Sequence, residues 1–210
     1  DLFQKVRDLE LRLQKVYRGL DRRGDPKFSI GFKGVFNRNS IIRSILYQLH
    51  QTTQRDEVKL DIFKPKNSKG KELTSTNVST AFNNVSNAME KLRDYIVSDL
   101  KFDSFAKFSY LTGVVATQYL IKNPNPNPTR KKKMLAWFCI ANNSLIYTGG
   151  STYDLANEDC GKATSKPDCW ESLIETIQRE RKLTVNGNNI HNVLLKETDF
   201  GEFGDPAKSG

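Results

Sequence analysis

The residues that could act as nucleophiles or metal ligands are few and lie far apart in the sequence. The chain has three cysteines, Cys139, Cys160 and Cys169, and two histidines, His50 and His191. Neither histidine lies at metal-ligand spacing from a cysteine or a carboxylate. A nucleophilic pair of Cys139 and His191 would need a local motif that the sequence lacks. We therefore expect no enzyme activity, no metal site and no cofactor.

The two later cysteines have the spacing of a small disulfide ring. Cys160 and Cys169 flank a polar segment that contains a glycine and a proline. A loop of this kind can be closed by a disulfide without distorting the neighbouring elements. We expect this bond to form, and we expect Cys139, inside an apolar run, to be a buried free thiol. Three free thiols in a reducing cytosol are the alternative.

Cations form the most prominent chemical pattern. The chain has 33 lysines and arginines against 24 aspartates and glutamates, which gives a formal net charge of +9. Such a field attracts anionic partners and speeds their encounter. Three clusters are candidate anion-binding residues because they lie in expected loops or at helix ends: Lys64, Lys66, Lys69 and Lys71; Arg130, Lys131, Lys132 and Lys133; and Arg179, Arg181 and Lys182. If the clusters share a face, they form a site for a polyanion.

The segment 123–133, NPNPNPTRKKK, joins alternating Asn-Pro pairs to the second cluster. Proline restricts φ, so alternating prolines favour extended, polyproline-like geometry. We expect 123–128 to form a stiff crossover, and we expect its basic end to be the best placed of the clusters for contact with an anion.

Two heptad stripes indicate the helices that position these clusters. Each steps by 4, 3, 4, 3 and 4 residues, through Leu2, Val6, Leu9, Leu13, Val16 and Leu20 and through Val78, Phe82, Val85, Met89, Leu92 and Ile96. This spacing is typical of a helix with one apolar seam. We predict helices over 1–21 and 75–100 that pack on each other in an antiparallel bundle. Alternatively, the first helix pairs with a second copy of itself.

The first helix is expected to stop at Arg23-Gly24-Asp25, because Gly24 and Pro26 break helices. The same tripeptide could engage an integrin if it lay in an exposed loop of a secreted protein. We favour the helix stop.

Three further helices are predicted from their apolar faces and capping residues. They span 40–54, capped by Asn39 or Ser40; 104–122, capped by Asp103 or Ser104; and 168–182, capped by Asp168. The helix over 104–122 is apolar on most of its circumference, so we expect it to be the central, buried one.

The remaining predicted elements are strands. Hairpins are expected over 134–148 and 183–195, around the turn-forming pairs Asn142-Asn143 and Asn186-Gly187. Alternating apolar residues indicate a short strand over 57–63, which leads into an exposed basic loop over 64–72.

Together these elements predict a mainly α fold, an antiparallel helical bundle with a small β-hairpin element; an α+β fold is the alternative. We expect one domain over 1–198 and a flexible tail over 199–210. No run of 18 apolar residues occurs, so no membrane span is expected.

The charge and the expected disulfide favour a non-enzymatic, secreted binding or effector protein. It would engage a polyanion such as a sulfated glycan, or an acidic protein, through surface loops. An intracellular, cytoplasmic nucleic-acid-binding protein is the first alternative, which reduced Cys160 and Cys169 would favour. A helical assembly protein that oligomerises through residues 1–21 is a further alternative, and an enzyme with a pocket that no motif reveals is another.

Overall fold

The computed structural model describes residues 1–31, 33–53, 70, 72–101, 108–148, 152–181, 184–185 and 188–189. In this part of the chain, seven helices pack around one hydrophobic cluster, and there are two short antiparallel sheets. The elements are α1 (Leu2–Gln14), β1 (Lys15–Leu20), β2 (Pro26–Ile30), α2 (Arg38–His50), α3 (Ser75–Ser98), α4 (Tyr110–Lys122), α5 (Pro128–Asn143), α6 (Thr152–Ser165), α7 (Trp170–Arg181), β3 (Thr184–Val185) and β4 (Asn188–Asn189). The predicted mainly α bundle with a small β element is confirmed.

Helix α4 is the centre of the bundle, as its apolar circumference predicts. Every residue from 111 to 120 is buried, and α2, α3, α5 and α6 all pack on it. The helix begins later than predicted, since Ser109 rather than Asp103 or Ser104 caps it. Gly113 lies against the Val35 backbone, where a Cβ atom would approach the Val35 carbonyl oxygen to 3.1 Å. The glycine therefore permits the loop before α2 to contact α4 closely.

The two heptad stripes pack inside the same chain. Val6, Leu9 and Leu13 of α1 are buried, and α1 contacts α2 and α3. Arg12 reinforces this contact through an ion pair with Glu90 on α3, at 2.6 Å. The seam of α1 is therefore occupied within the bundle, and self-pairing is not needed to cover it.

The predicted helix over 1–21 is wrong in its second half. The helix ends at Gln14, and the next residues form β1, which pairs with β2 in an antiparallel hairpin. Two expected seam positions, Val16 and Leu20, lie in β1, and Leu20 is 62% exposed. A glycine inside the stripe and β-favouring Val and Tyr beside it explain why strand pairing outweighs the heptad pattern here.

Two predicted helices are confirmed with small changes of boundary. Helix α3 over Ser75–Ser98 corresponds to the predicted 75–100, and Thr74 forms a capping box with Asn77. Helix α2 over Arg38–His50 replaces the predicted 40–54. Its cap is Asn37, not Asn39 or Ser40, because the Asn37 side chain accepts a hydrogen bond from the Ser40 amide at 2.9 Å.

The hairpin predicted over 134–148 is wrong, because this region continues α5 to Asn143. The buried apolar residues are Met134, Leu135, Trp137, Phe138 and Ala141. Their spacing is that of one helical face, which an uninterrupted apolar run had concealed. The Asn-Pro crossover is correspondingly shorter, since Asn127 caps α5 and Pro128 occupies its first turn.

Helix α6 has no counterpart in the prediction, which assigned part of it to a cysteine loop. Its inward face carries the small residues Ala156, Cys160 and Ala163, one turn apart, and these allow α6 to pack closely on α4. Helix α7 matches the predicted 168–182 over Trp170–Arg181. Trp170 contacts Tyr119 edge-on at 4.4 Å between ring centroids, which joins α7 to the core.

The second predicted hairpin is represented by β3 and β4, which pair Thr184 with Asn189 and Val185 with Asn188. The remainder of 183–195, the strand over 57–63, most of the loop over 64–72 and the tail over 199–210 lie outside the described residues. No helix in the described part of the chain is long and apolar enough to cross a membrane.

Candidate anion-binding surface

The first turns of α5 carry the Arg130–Lys133 cluster. The Asn127 side chain accepts a hydrogen bond from the Arg130 amide at 2.9 Å. Pro128 lies in the first turn of the helix, where its missing amide N–H breaks no hydrogen bond within the helix. Cations at a helix N-terminus face the positive end of the helix dipole, which disfavours them. Four successive cations there must therefore be balanced by carboxylates or be available to an external anion.

Two of the four are balanced within the chain. Arg130 pairs with Asp168 at 2.9 Å, and Lys131 pairs with Asp99 at 2.6 Å. The hydrogen bond from Arg130 lowers the pKa of Asp168. Burial opposes ionisation of Asp99, but the hydrogen bond from Lys131 nevertheless brings the pKa of Asp99 below its usual value. These pairs tie α5 to the start of α7 and to the end of α3.

The other two cations of the cluster, Lys132 and Lys133, make no ion pair with a carboxylate in the described part of the chain. Lys132 is exposed and Lys133 half-buried. Lys133 and Lys166 both act on Asp168 and add to the lowering of its pKa. Around this single carboxylate there are three cations, so the start of α5 has an excess of positive charge.

The remaining predicted anion-binding residues are not brought to this place by the described structure. Arg179 pairs with Glu158 at 3.3 Å and with Glu180 at 2.9 Å. The Arg181 side chain is not described, and five residues lie outside the described residues: Lys64, Lys66, Lys69, Lys71 and Lys182. Asp168, predicted as a helix cap, instead pairs with Arg130.

A second basic element was missed by the sequence analysis. The β1–β2 hairpin carries five exposed cations, Lys15, Arg18, Arg22, Arg23 and Lys27. One of them, Arg23, was interpreted from the sequence as part of a helix stop. The β-favouring Val16 and Tyr17, followed by a turn at Gly24, were the signal that could have revealed it.

The tip of this hairpin is organised by its own backbone. Asp21 accepts hydrogen bonds from the Arg23 amide at 2.7 Å and from the Asp25 amide at 3.0 Å. Gly24 has φ of +85°, a conformation that costs other residues energy. The tripeptide Arg23-Gly24-Asp25 therefore lies in a hairpin turn, and the prediction that it stops a helix is wrong.

Both basic elements adjoin the C-terminal half of α3. Arg93 donates to the carbonyl oxygens of Leu13 at 3.1 Å and Lys15 at 2.5 Å, at the base of the hairpin. Lys91 donates to the Pro124 carbonyl oxygen at 2.7 Å, in the Asn-Pro crossover. From Lys91 to Asp99, the partner of Lys131, a helix rises only about 12 Å. The hairpin base and the start of α5 are thus held beside the same short length of α3.

Catalytic chemistry finds little support among the described residues. Burial raises the pKa of Cys139 to about 11 and that of Cys169 to about 12, and raises the pKa of Cys160 as well. These sulfurs are therefore thiols at neutral pH, not reactive thiolates. His50 is buried in the last turn of α2, and His191 lies outside the described residues. Within those residues no three potential metal ligands come together.

The structure does not contain the disulfide expected between Cys160 and Cys169. All three cysteines are free, and these two are fully buried. The segment between them is not a loose loop, because α6 extends to Ser165 and α7 begins at Trp170.

A buried polar group also lies on α6. Asp159 accepts a hydrogen bond from the Tyr147 hydroxyl at 2.8 Å and lies 3.7 Å from the Lys162 ammonium group. Burial raises the pKa of Asp159 to about 6, although Tyr147 and Lys162 act in the opposite direction. Asp159 is fully buried, so it joins secondary structure elements rather than facing a substrate.

A groove of about 310 Å³ lies where α1 and α3 begin. Leu2, Val78 and Phe82 are its apolar lining residues, and Lys5 and Asp1 also line it. The Asp1 carboxylate already caps α1 by accepting from the Phe3 amide at 3.0 Å.

No protein-family model matches the sequence, and neither a curated protein nor a solved structure is similar enough to be matched.

Proposed function

We propose that this is a non-enzymatic protein that binds a polyanion, with nucleic acid as its ligand. The observation that supports it best is the placement of charge. The hairpin and the start of α5 each carry a local excess of cations, and both adjoin one section of α3. Phosphate contacts of Lys and Arg supply most of the affinity of such proteins, independently of sequence.

The cysteines favour nucleic acid over a sulfated glycan as the polyanion. Fully buried Cys160 and Cys169 fill core positions of α6 and the start of α7 as small apolar residues do. Free thiols of this kind are typical of a reducing compartment. We therefore propose an intracellular site of action, and the extracellular, glycan-binding alternative becomes an outcome of the test.

The test compares Lys132→Gln/Lys133→Gln with a control of equal charge, Lys5→Gln/Arg7→Gln on α1. Anisotropy with a labelled DNA duplex, a single strand and a heparin fragment is measured at increasing salt. For the unmodified chain, log affinity should fall linearly with log salt. The double variant should reduce that slope by about 1.8, the equivalent of two phosphate contacts, and the control should reduce it less.

Binding that does not depend on salt would refute the proposal. If the variant and the control lower the affinity and the salt slope equally, the start of α5 is not part of the binding site. Tighter binding of heparin than of either nucleic acid, at matched charge, would support the glycan alternative instead.

A further inference from the structure

The β1–β2 hairpin is set apart from the rest of the chain by its lack of helical cover. Its strands pack far more extensively on each other than on any helix in the described part of the chain. Residues 20–28, from the end of β1 through the turn into β2, are all exposed. A strand rises about 3.3 Å per residue, so the six residues of β1 carry the tip roughly 20 Å from its base. The hairpin is a projecting ribbon.

The base of this ribbon is fixed to the bundle. No loop separates α1 from β1, since the helix ends at Gln14 and the strand begins at Lys15. The Gly31 amide donates to the Gln14 carbonyl oxygen at 2.8 Å, and the Arg93 guanidinium donates to the Lys15 carbonyl oxygen. The Gln14 side chain donates to the Phe36 carbonyl oxygen at 2.7 Å. The direction in which the ribbon projects is therefore set by the helices.

The surface of the ribbon combines cations with exposed apolar groups. Arg22, Arg23 and Lys27 are exposed at and beside the turn. Leu20 is 62% and Phe28 54% exposed, and the Lys15 ammonium group lies 5.9 Å above the Phe28 ring. The two acids here are both exposed, and Asp21 accepts hydrogen bonds from the Arg23 and Asp25 backbone amides.

We infer that this ribbon is a DNA-binding element that enters the major groove of a duplex. A two-stranded ribbon fits that groove, which is about 12 Å wide and about 8.5 Å deep in B-DNA, whereas the major groove of RNA is too narrow to admit it. A ribbon of this length reaches the groove floor with its tip while the flanking cations meet phosphates on both sides. The exposed apolar side chains suit contact with thymine methyl groups.

The contact between the Phe28 ring and the Lys15 ammonium group favours duplex DNA over a single strand as the ligand. Stacking of bases on an aromatic ring is the main attraction of single-strand sites. The Lys15 ammonium group lies over one face of the Phe28 ring, 5.9 Å from its centroid, and would have to move aside for a base to stack there. The inference rests on the proposed function, because it names the element and the form of nucleic acid that the protein binds.

The test uses the full chain and a hairpin variant, Arg22→Gln/Arg23→Gln/Lys27→Gln. Its matched control removes three exposed cations elsewhere, Lys5→Gln/Arg7→Gln/Lys122→Gln. The hairpin variant should bind a labelled duplex at least about tenfold more weakly and lower the salt slope by roughly 2.7. The control should change both quantities less, and unchanged melting curves show that each variant folds.

A change in the opposite direction gives a second readout. Asp25→Asn removes one of the two exposed carboxylates of the tip and should tighten binding to the duplex. Its control, Asp8→Asn on α1, should have a smaller effect. Methyl green, which occupies the major groove, should displace the protein, whereas netropsin, which occupies the minor groove, should not.

The outcomes separate the two proposals. If the unmodified chain binds no polyanion, the proposed function fails, and this inference fails with it. If it binds duplex DNA but the hairpin variant binds as tightly as the control, only the inference is overturned. Tighter binding of a single strand, or displacement by netropsin rather than methyl green, would overturn it as well.

Discussion

Replacement of the buried Asp159 by asparagine should make the protein more stable at neutral pH. The carboxylate is fully buried, accepts a hydrogen bond from Tyr147 and lies 3.7 Å from Lys162. Its pKa rises from 3.8 to about 6, and burial is the largest cause. Asparagine keeps an oxygen that can accept from Tyr147 but carries no charge that must be buried.

The sign of the pH dependence follows from that pKa. Below about pH 4, Asp159 is protonated in both the folded and the unfolded chain, so it carries no penalty. Between about pH 4 and pH 6, the unfolded chain releases this proton and the folded chain keeps it, so stability falls as pH rises. A pKa of about 6 against 3.8 corresponds to roughly 3 kcal/mol of lost stability at pH 7.

Urea unfolding at several pH values measures this effect. The free energy of unfolding of Asp159→Asn minus that of the unmodified protein should grow by roughly 3 kcal/mol between pH 4 and pH 7. Carboxylates with lowered pKa, such as Asp99 and Asp168, lose their contribution as pH falls, but they do so in both proteins and cancel in the difference.

The exposed Asp8→Asn on α1 serves as the control and should show no such growth. A difference that stays constant with pH would refute the reasoning. A difference that shrinks as pH rises would show that the Lys162 charge, not burial, determines the pKa of Asp159.

Two other substitutions test the core. Gly113→Ala should destabilise the protein by about 1–3 kcal/mol, because the new Cβ would press on Val35, although alanine favours helices. An increase in the urea concentration at the midpoint of unfolding would show that Gly113 is not needed for the close approach to Val35. Trp170→Ala should cost about 3–5 kcal/mol, since the buried ring joins α7 to Tyr119 and Trp137. A loss below 1 kcal/mol by urea unfolding would show that α7 is not part of the cooperative unit.

The parts of the fold that could be predicted are those with a strong helical period. The stripe of α3 and the apolar circumference of α4 each dictate a helix, and both are present. Helix α6 could not be recognised this way, because alanines and a cysteine make its inward face and leave hardly any apolar contrast. For α5, Asn127 followed by Pro128 was a helix-start signal that a strand interpretation of 134–140 overrode.

The candidate site was predictable only as far as its cations are adjacent in sequence. The run at 130–133 stands out, but its partners Asp99 and Asp168 lie more than thirty residues away, and only the tertiary fold brings them close. The cations of the hairpin were obscured for a different reason. A heptad pattern continues through 16–20, and local turn chemistry at Asp21 and Gly24 overrides it.

The complete burial of α4 has a consequence for how the chain folds. Its cover comes from α2 and α3 before it in sequence and from α5 and α6 after it. Contacts between distant segments form slowly because the intervening chain must first be closed into a loop. During synthesis α4 therefore emerges while part of its apolar surface still lacks a partner. That surface remains exposed to water until the chain has been synthesised as far as residue 165. A chain that stops before α6 would expose this surface permanently and should aggregate rather than remain a smaller folded bundle.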